Sequence, residues 1–119
     1  MEWPGRLGSV EEVEIETSRG ADAPVHRTII WVVVGDGEVF VRSLKGEDGR
    51  WYRELTANPE AVLHFEGDAI PVRAVPAADP ESVARATRGF HEKYGDSPYL
   101  HTMIRDEIAP TTVRLEPRR

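Results

Sequence analysis

Arg27-Thr28-Ile29-Ile30-Trp31-Val32-Val33-Val34, then Gly35-Asp36-Gly37, then Glu38-Val39-Phe40-Val41-Arg42-Ser43-Leu44, is the stretch that decides the fold. Two runs rich in β-branched and aromatic residues flank a short Gly-Asp-Gly turn, the signature of a β-hairpin. The first run is apolar on both faces and reads as a central strand covered on both sides. The second alternates, with Val39, Val41 and Ser43 on one face and Phe40, Arg42 and Leu44 on the other.

Upstream, Val13, Ile15 and Thr17 alternate with Glu12, Glu14 and Glu16, the pattern of a half-buried strand whose acids face solvent. Ser18 to Pro24 reads as a loop. Downstream, Asp48 is an N-cap candidate for a short helix from Arg50 to Ala57, with Trp51 and Leu55 stacked four residues apart. Asn58-Pro59 stops that helix. A second hairpin follows, Ala61–Glu66 and Ala69–Ala77 about a Gly67-Asp68 turn. Pro71 and Pro76 mark its second strand as an edge or bulged one.

Asp79-Pro80-Glu81 opens a longer helix, with Val83, Thr87, Phe90 and Tyr94 on one face and Gly95 at its end. His91 falls off that stripe and should be solvated. Ser97-Pro98 opens another helix, with Leu100, Met103, Ile104 and Ile108 facing inward, and Thr111–Glu116 reads as a last strand. Strands that come as hairpins argue against parallel βαβ units. The expected architecture is a single α+β domain over residues 1–119: an antiparallel barrel or strongly curled sheet with two helices in its C-terminal half.

Composition narrows the function. The chain has no cysteine, which removes disulfides, thiolate nucleophiles and Cys-ligated metals and fits a cytoplasmic setting. A formal net charge of -6 argues against nucleic acid as a partner. No apolar run is long enough to span a membrane, and residues 1–9 lack the apolar stretch of a signal peptide. The four histidines show no metal-ligand spacing, and no Gly-x-Ser-x-Gly, Gly-x-Gly-x-x-Gly or P-loop motif occurs.

One locus stands out against that acidic background. Arg42-Ser43-Leu44-Lys45-Gly46-Glu47-Asp48-Gly49-Arg50-Trp51 runs from a strand end through a glycine-flanked turn into a helix start. Helix N-termini present free N–H groups, and glycine admits a close ligand, so Arg42, Lys45 and Arg50 with the Ser43 hydroxyl can ring a phosphate. The competing reading is that these cations pair with Glu47, Asp48 and Glu54 at the surface. Trp31, Trp51 and Tyr52 are candidates either to stack a planar ring or to fill the core.

These segments, together with Gly49-Arg50-Trp51-Tyr52-Arg53-Glu54-Leu55-Thr56-Ala57-Asn58-Pro59, resemble the heart of the flavin-binding split-barrel superfamily. That superfamily includes pyridoxamine-phosphate oxidase-like proteins and deazaflavin-dependent nitroreductase-like reductases. The rest of the chain looks like an uncharacterised bacterial family of similar length within it. The resemblance implies an antiparallel split β-barrel of the FMN-binding type, binding FMN or a deazaflavin (coenzyme F-420) and passing hydride to a small organic acceptor. It implies that Arg27, Arg42, Ser43, Lys45 and Arg50 hold the cofactor phosphate, with Gly49 and Trp51 at the helix start beside it. Thr28, Ile29, Ile30 and Trp31 would lie along the ring system. Tyr94, Tyr99 or His101 would contact substrate. It further implies a homodimer, with Trp3, Trp31, Phe40 and Phe65 as exposed apolar candidates for its interface. The same fold also serves proteins that bind haem or carry a small ligand without catalysis.

Overall fold

The computed structural model describes residues 3–118. After a short helix α1 (Trp3–Leu7) come strands β1 (Val13–Ser18), β2 (Val25–Ile30), β3 (Val33–Gly35) and β4 (Glu38–Val41). A 3-10 turn (Gly46–Asp48) leads into α2 (Arg50–Ala57), then β5 (Glu60–Phe65), β6 (Asp68–Pro76), α3 (Pro80–Tyr94), α4 (Leu100–Met103), a second 3-10 segment (Asp106–Thr111) and β7 (Val113–Pro117). All neighbouring strands run antiparallel, in the order β2-β1-β5-β6-β7-β4-β3. The molecule is an α+β protein built on this curled half-barrel. No helix among the described residues is long and apolar enough to cross a membrane.

The run Arg27–Val34 is therefore not one central strand. It breaks at Trp31-Val32 into β2 and β3, which form the two opposite edges of the sheet. Curling brings those edges together, and two residues connect them. The break explains the doubly apolar pattern: Val32 and Val33 are fully buried where the chain crosses from one edge to the other. The β3–β4 connection is a two-residue loop, Asp36-Gly37, with positive φ at both positions, the type I′ geometry that suits a twisted hairpin. The β5–β6 loop is likewise Glu66-Gly67 rather than Gly67-Asp68.

β6 lies inside the sheet, not at an edge. Its prolines are tolerated because β5 pairs only with Asp68–Arg73 and β7 only with Val72–Pro76, so each proline lies where β6 has one paired neighbour. Two cores result. One fills the half-barrel with Leu7, Val13, Ile15, Val41, Leu63, Val72 and Leu115. The other joins Val33 and Phe40 to Ala86, Phe90 and Tyr94 of α3 and to Met103 and Ile108. The α3 stripe is rotated from the expected one: Ala86, Gly89, Phe90 and Tyr94 are buried, and Val83 and Thr87 are half-buried at its margin. His91 is exposed. α3 sits so close to β3 that a Cβ on Gly35 would lie 3.0 Å from the Arg85 carbonyl oxygen.

α2 lies across β1 and β2 and is fastened by polar contacts. The buried Glu54 carboxylate accepts from the Thr17 hydroxyl at 2.7 Å and pairs with His26 Nδ1 at 2.8 Å. The glutamates of the β1 outer face pair outward, Glu14 with Arg27 at 2.7 Å and Glu16 with His64 at 2.8 Å.

Candidate functional site

The cavity that draws most of the chemistry together has a volume of about 550 Å³ and opens beside the junction of the two sheet edges. Five pieces of chain wall it: Glu12 just before β1, β2 with the Trp31 crossover, the loop after β4, the start of α2, and α4 with the residue before it. Thr28, Ile29, Ile30 and Trp31 line one side. Arg42, Ser43 and Lys45 line the floor and loop, and Gly49, Arg50 and Trp51 supply the helix start.

Arg27 is the sequence candidate that does not belong. It sits on the outer face of β2, half exposed and paired with Glu14. Strand alternation puts Thr28 on the inner face and Arg27 on the outer one.

Arg42 lines the cavity, but its guanidinium is engaged by the protein itself. Its side chain is 2 % exposed and its guanidinium serves the fold. Nε donates to Thr112 Oγ1 at 2.8 Å and Nη1 to the Met103 carbonyl at 3.1 Å. Nη2 donates to the Val83 carbonyl at 3.0 Å and Thr87 Oγ1 at 2.9 Å. The guanidinium also lies over the Phe90 ring at 5.2 Å. Burial lowers its pKa to about 10, so the group stays charged at neutral pH. Four of its five N–H groups are engaged with the protein, so it bolts α3 and α4 to β4 instead of offering a fork to a phosphate.

Ser43 is the opposite case. It is 1 % exposed, its backbone N–H donates to Thr111 Oγ1 at 3.1 Å, and its own hydroxyl has no partner among the described residues. A buried hydroxyl without a partner costs about 1–3 kcal/mol, so it needs a reason. Gly49, the N-cap of α2, lies against it: a Cβ there would stand 2.3 Å from Ser43 Oγ. No side chain caps α2, so its first N–H groups stay open. Asp48 does not act as cap, because it ends the Gly46–Asp48 3-10 turn; the helix starts at Arg50 as expected, and Gly49 is its N-cap. Lys45 and Arg50 are exposed beside this point, and Arg50 donates to Thr28 Oγ1 at 3.2 Å. The surface pairing of Lys45 and Arg50 with Glu47, Asp48 or Glu54 is not found among the described ion pairs.

Of the proposed substrate contacts, only Tyr99 lines the cavity. Tyr94 lies behind Trp31, with the two rings stacked at 3.9 Å, and His101 is exposed elsewhere on α4. Glu12, Leu44, Thr102 and Met103 also line it and were not foreseen. Leu44 was open to inference, since it lies between Ser43 and Lys45. Thr102 and Met103 arrive from some 60 residues away by tertiary packing, which no local pattern encodes. Phe40 and Phe65 are buried and Trp31 is half-buried, so they are not exposed interface candidates. The side chain of Trp3 lies outside the described residues. Among the described residues the exposed large apolar ones are Val25, Ile29, Leu44 and Tyr99, and the last three rim this cavity.

Residues 5–115 match the profile of a family described as an uncharacterized protein conserved in bacteria (DUF2255). No curated protein matches the chain by sequence. Among solved structures, a conserved hypothetical protein of Mycobacterium tuberculosis is similar at 20% identity and TM-score 0.69, over 100% of this chain and 82% of that one. The haem storage protein HutZ of Vibrio cholerae aligns at 14% identity and TM-score 0.67, covering 97% and 87%. An F420-H2 dependent reductase aligns at 17% identity and TM-score 0.65, covering 89% and 94%. At these identities the likeness establishes the split-barrel fold.

Proposed function

The chain belongs to the DUF2255 family of bacterial proteins, and from that premise we propose that it binds a phosphate-bearing planar cofactor, FMN or a deazaflavin, and passes hydride to a small organic acceptor. The observation that carries this reading is the buried, unpartnered Ser43 hydroxyl set against the uncapped start of α2. An anion there would take the Ser43 O–H and the open N–H groups of α2, with Lys45 and Arg50 adding charge. A planar ring would lie toward Trp31 and the apolar rim, where Ile29, Ile30 and Met103 offer nonpolar wall.

Such a group supplies the two-electron chemistry when bound. The protein's part is to bind the phosphate, orient the ring and exclude water. The likeness to an F420-H2 dependent reductase supports this reading at the level of fold. The likeness to a haem storage protein raises a second one. Against it, none of His26, His64, His91 and His101 lines the cavity, and Met103 is the one soft ligand there. The protein is further proposed to act as a homodimer, through the outer face of edge strand β2, where Val25 is 59% and Ile29 61% exposed.

The test compares FMN with riboflavin, which lacks the phosphate. At about 100 times its dissociation constant, FMN should stabilise the fold by about 2.7 kcal/mol. Ser43→Ala and Arg50→Ala should each weaken FMN binding about tenfold and leave riboflavin binding nearly unchanged. Equal loss for both ligands would mean general damage to the pocket. Binding without hydride turnover would leave a carrier on the same fold. A Soret band on haem addition, with no response to FMN or F420, would replace the reading by the haem one.

A further inference from the structure

The two-residue crossover Trp31-Val32 joins the edges of the sheet, and Trp31 is also cavity wall. The last turn of α3 holds this crossover in place. The Tyr94 ring stacks on the Trp31 indole with centroids 3.9 Å apart and planes at 3°. The Tyr94 hydroxyl donates its one proton to the Glu11 carbonyl, with the Val32 carbonyl 3.3 Å away as the weaker arm of a shared bond. Its neighbour Lys93 donates from Nζ to that same Val32 carbonyl at 2.5 Å and to the Leu7 carbonyl at 2.8 Å.

The choice of Lys93 is unusual for this sequence. Among 15 basic residues only Lys45 and Lys93 are lysines. Lys93 is partly buried and makes no ion pair among the described residues. A compact ammonium can serve two converging carbonyls where a planar guanidinium would not fit as well. The carbonyls it joins belong to the crossover and to Leu7, the last residue of α1, where the segment leading to β1 begins. Glu12, which follows the Glu11 held by Tyr94, is itself cavity wall.

We propose that Lys93 and Tyr94 are positioning residues for the cavity: they hold Trp31 in the pose that receives a ligand ring and tie the segment Leu7–Glu11 to that wall, so ligand binding and docking of this segment form one coupled equilibrium. The inference rests on the reading that this cavity is the ligand site. Neither residue lines the cavity, so any effect on affinity acts through Trp31 and the docked segment. Linkage then requires reciprocity: what loosens the segment weakens the ligand, and the ligand tightens the segment.

A merely structural role would lower folding stability and leave the affinity of the folded protein alone. The test uses FMN as probe, well below the melting temperature, on variants whose far-UV circular dichroism matches wild type. Tyr94→Phe keeps the stacked ring and loses the hydroxyl anchor; Lys93→Met loses the other anchor. Each should weaken FMN about fivefold or more. Tyr94→Leu should weaken it further and change the near-UV tryptophan signal. In wild type, FMN should slow amide hydrogen exchange of residues 8–11, and Lys93→Met should abolish that slowing. Wild-type affinity in folded Tyr94→Phe and Lys93→Met, or exchange in wild type indifferent to FMN, would overturn the coupling. If wild type binds no FMN, the cofactor reading fails on its own. The positioning role is then decided without ligand: Lys93→Met and Tyr94→Phe must speed exchange at residues 8–11 while the core strands keep theirs. Unchanged exchange there overturns it.

Discussion

Arg42 donates to four acceptors on three parts of the chain: α3, the carbonyl of Met103 and the hydroxyl of Thr112. Arg42→Ala would take the donor from all four in a dry site, at about 1–3 kcal/mol for each buried group left unpaired; the Thr112 hydroxyl keeps its bond to the Ala109 carbonyl. A loss of about 3 kcal/mol or more is expected from urea denaturation, and Arg42→Lys should not restore it, because an ammonium cannot span that fork. The basic island Arg42-Ser43-Leu44-Lys45 was readable as a locus. The division of labour within it was not, because the groups that engage Arg42 lie 41 to 70 residues away in sequence. Lys93 makes a second residue-scale prediction. Burial lowers its pKa from 10.5 to about 8, with Glu11 pulling the other way. Between those values the unfolded chain holds a proton that the native protein has released, so stability rises with pH across the window. Comparing wild type with Lys93→Met from pH 7 to 10 should isolate that rise. Burial raises the Tyr94 pKa, which works against stability only above the ordinary tyrosine range. A difference between the two proteins that stays flat with pH would contradict the assignment.

At the scale of elements, α2 was legible nearly residue for residue. Trp51 and Leu55 mark its buried face and Asn58-Pro59 its stop. Its polar inner contact was hidden, since Glu54 on a helix reads as solvated until β1 and β2 bring Thr17 and His26 against it. The β2–β3 break was hidden for a related reason. An unbroken β-branched run carries no local stop signal, and the turn at Trp31-Val32 is imposed by closure of the sheet and by contacts from α3. The close seating of α3 on β3 gives an element-scale prediction. Gly35→Ala would drive a Cβ to 3.0 Å from the Arg85 carbonyl oxygen, and neither backbone is free to yield much. Overpacking of this kind costs about 1–3 kcal/mol. A lower urea midpoint with an unchanged slope is expected, and a neutral result would mean that α3 rides more loosely on the sheet.

For the whole molecule, the hairpin signals and the absence of βαβ spacing were enough to indicate an antiparallel α+β barrel, because those patterns are local. Strand order was not, because β1–β5 and β4–β7 pairing depends on chain segments far apart. The proposed dimer is tested at this scale. Sedimentation equilibrium at micromolar concentration should give twice the 13.3 kDa chain mass, and Val25→Asp should shift the protein to monomer with its fold intact. Monomer in wild type would remove the dimer from the proposal.

The strand order also sets a sequence of events. β1–β2, β3–β4 and β5–β6 are hairpins between chain neighbours, whose loops close at small entropic cost. The β3–β4 hairpin, however, has only one sheet neighbour, and that is β7. Until β7 docks, the hairpin that leads into Ser43 and Lys45 has no place in the sheet, whatever else has formed. During refolding the cavity therefore cannot be complete before β7 docks, and ligand-binding competence should appear no earlier than exchange protection in β7.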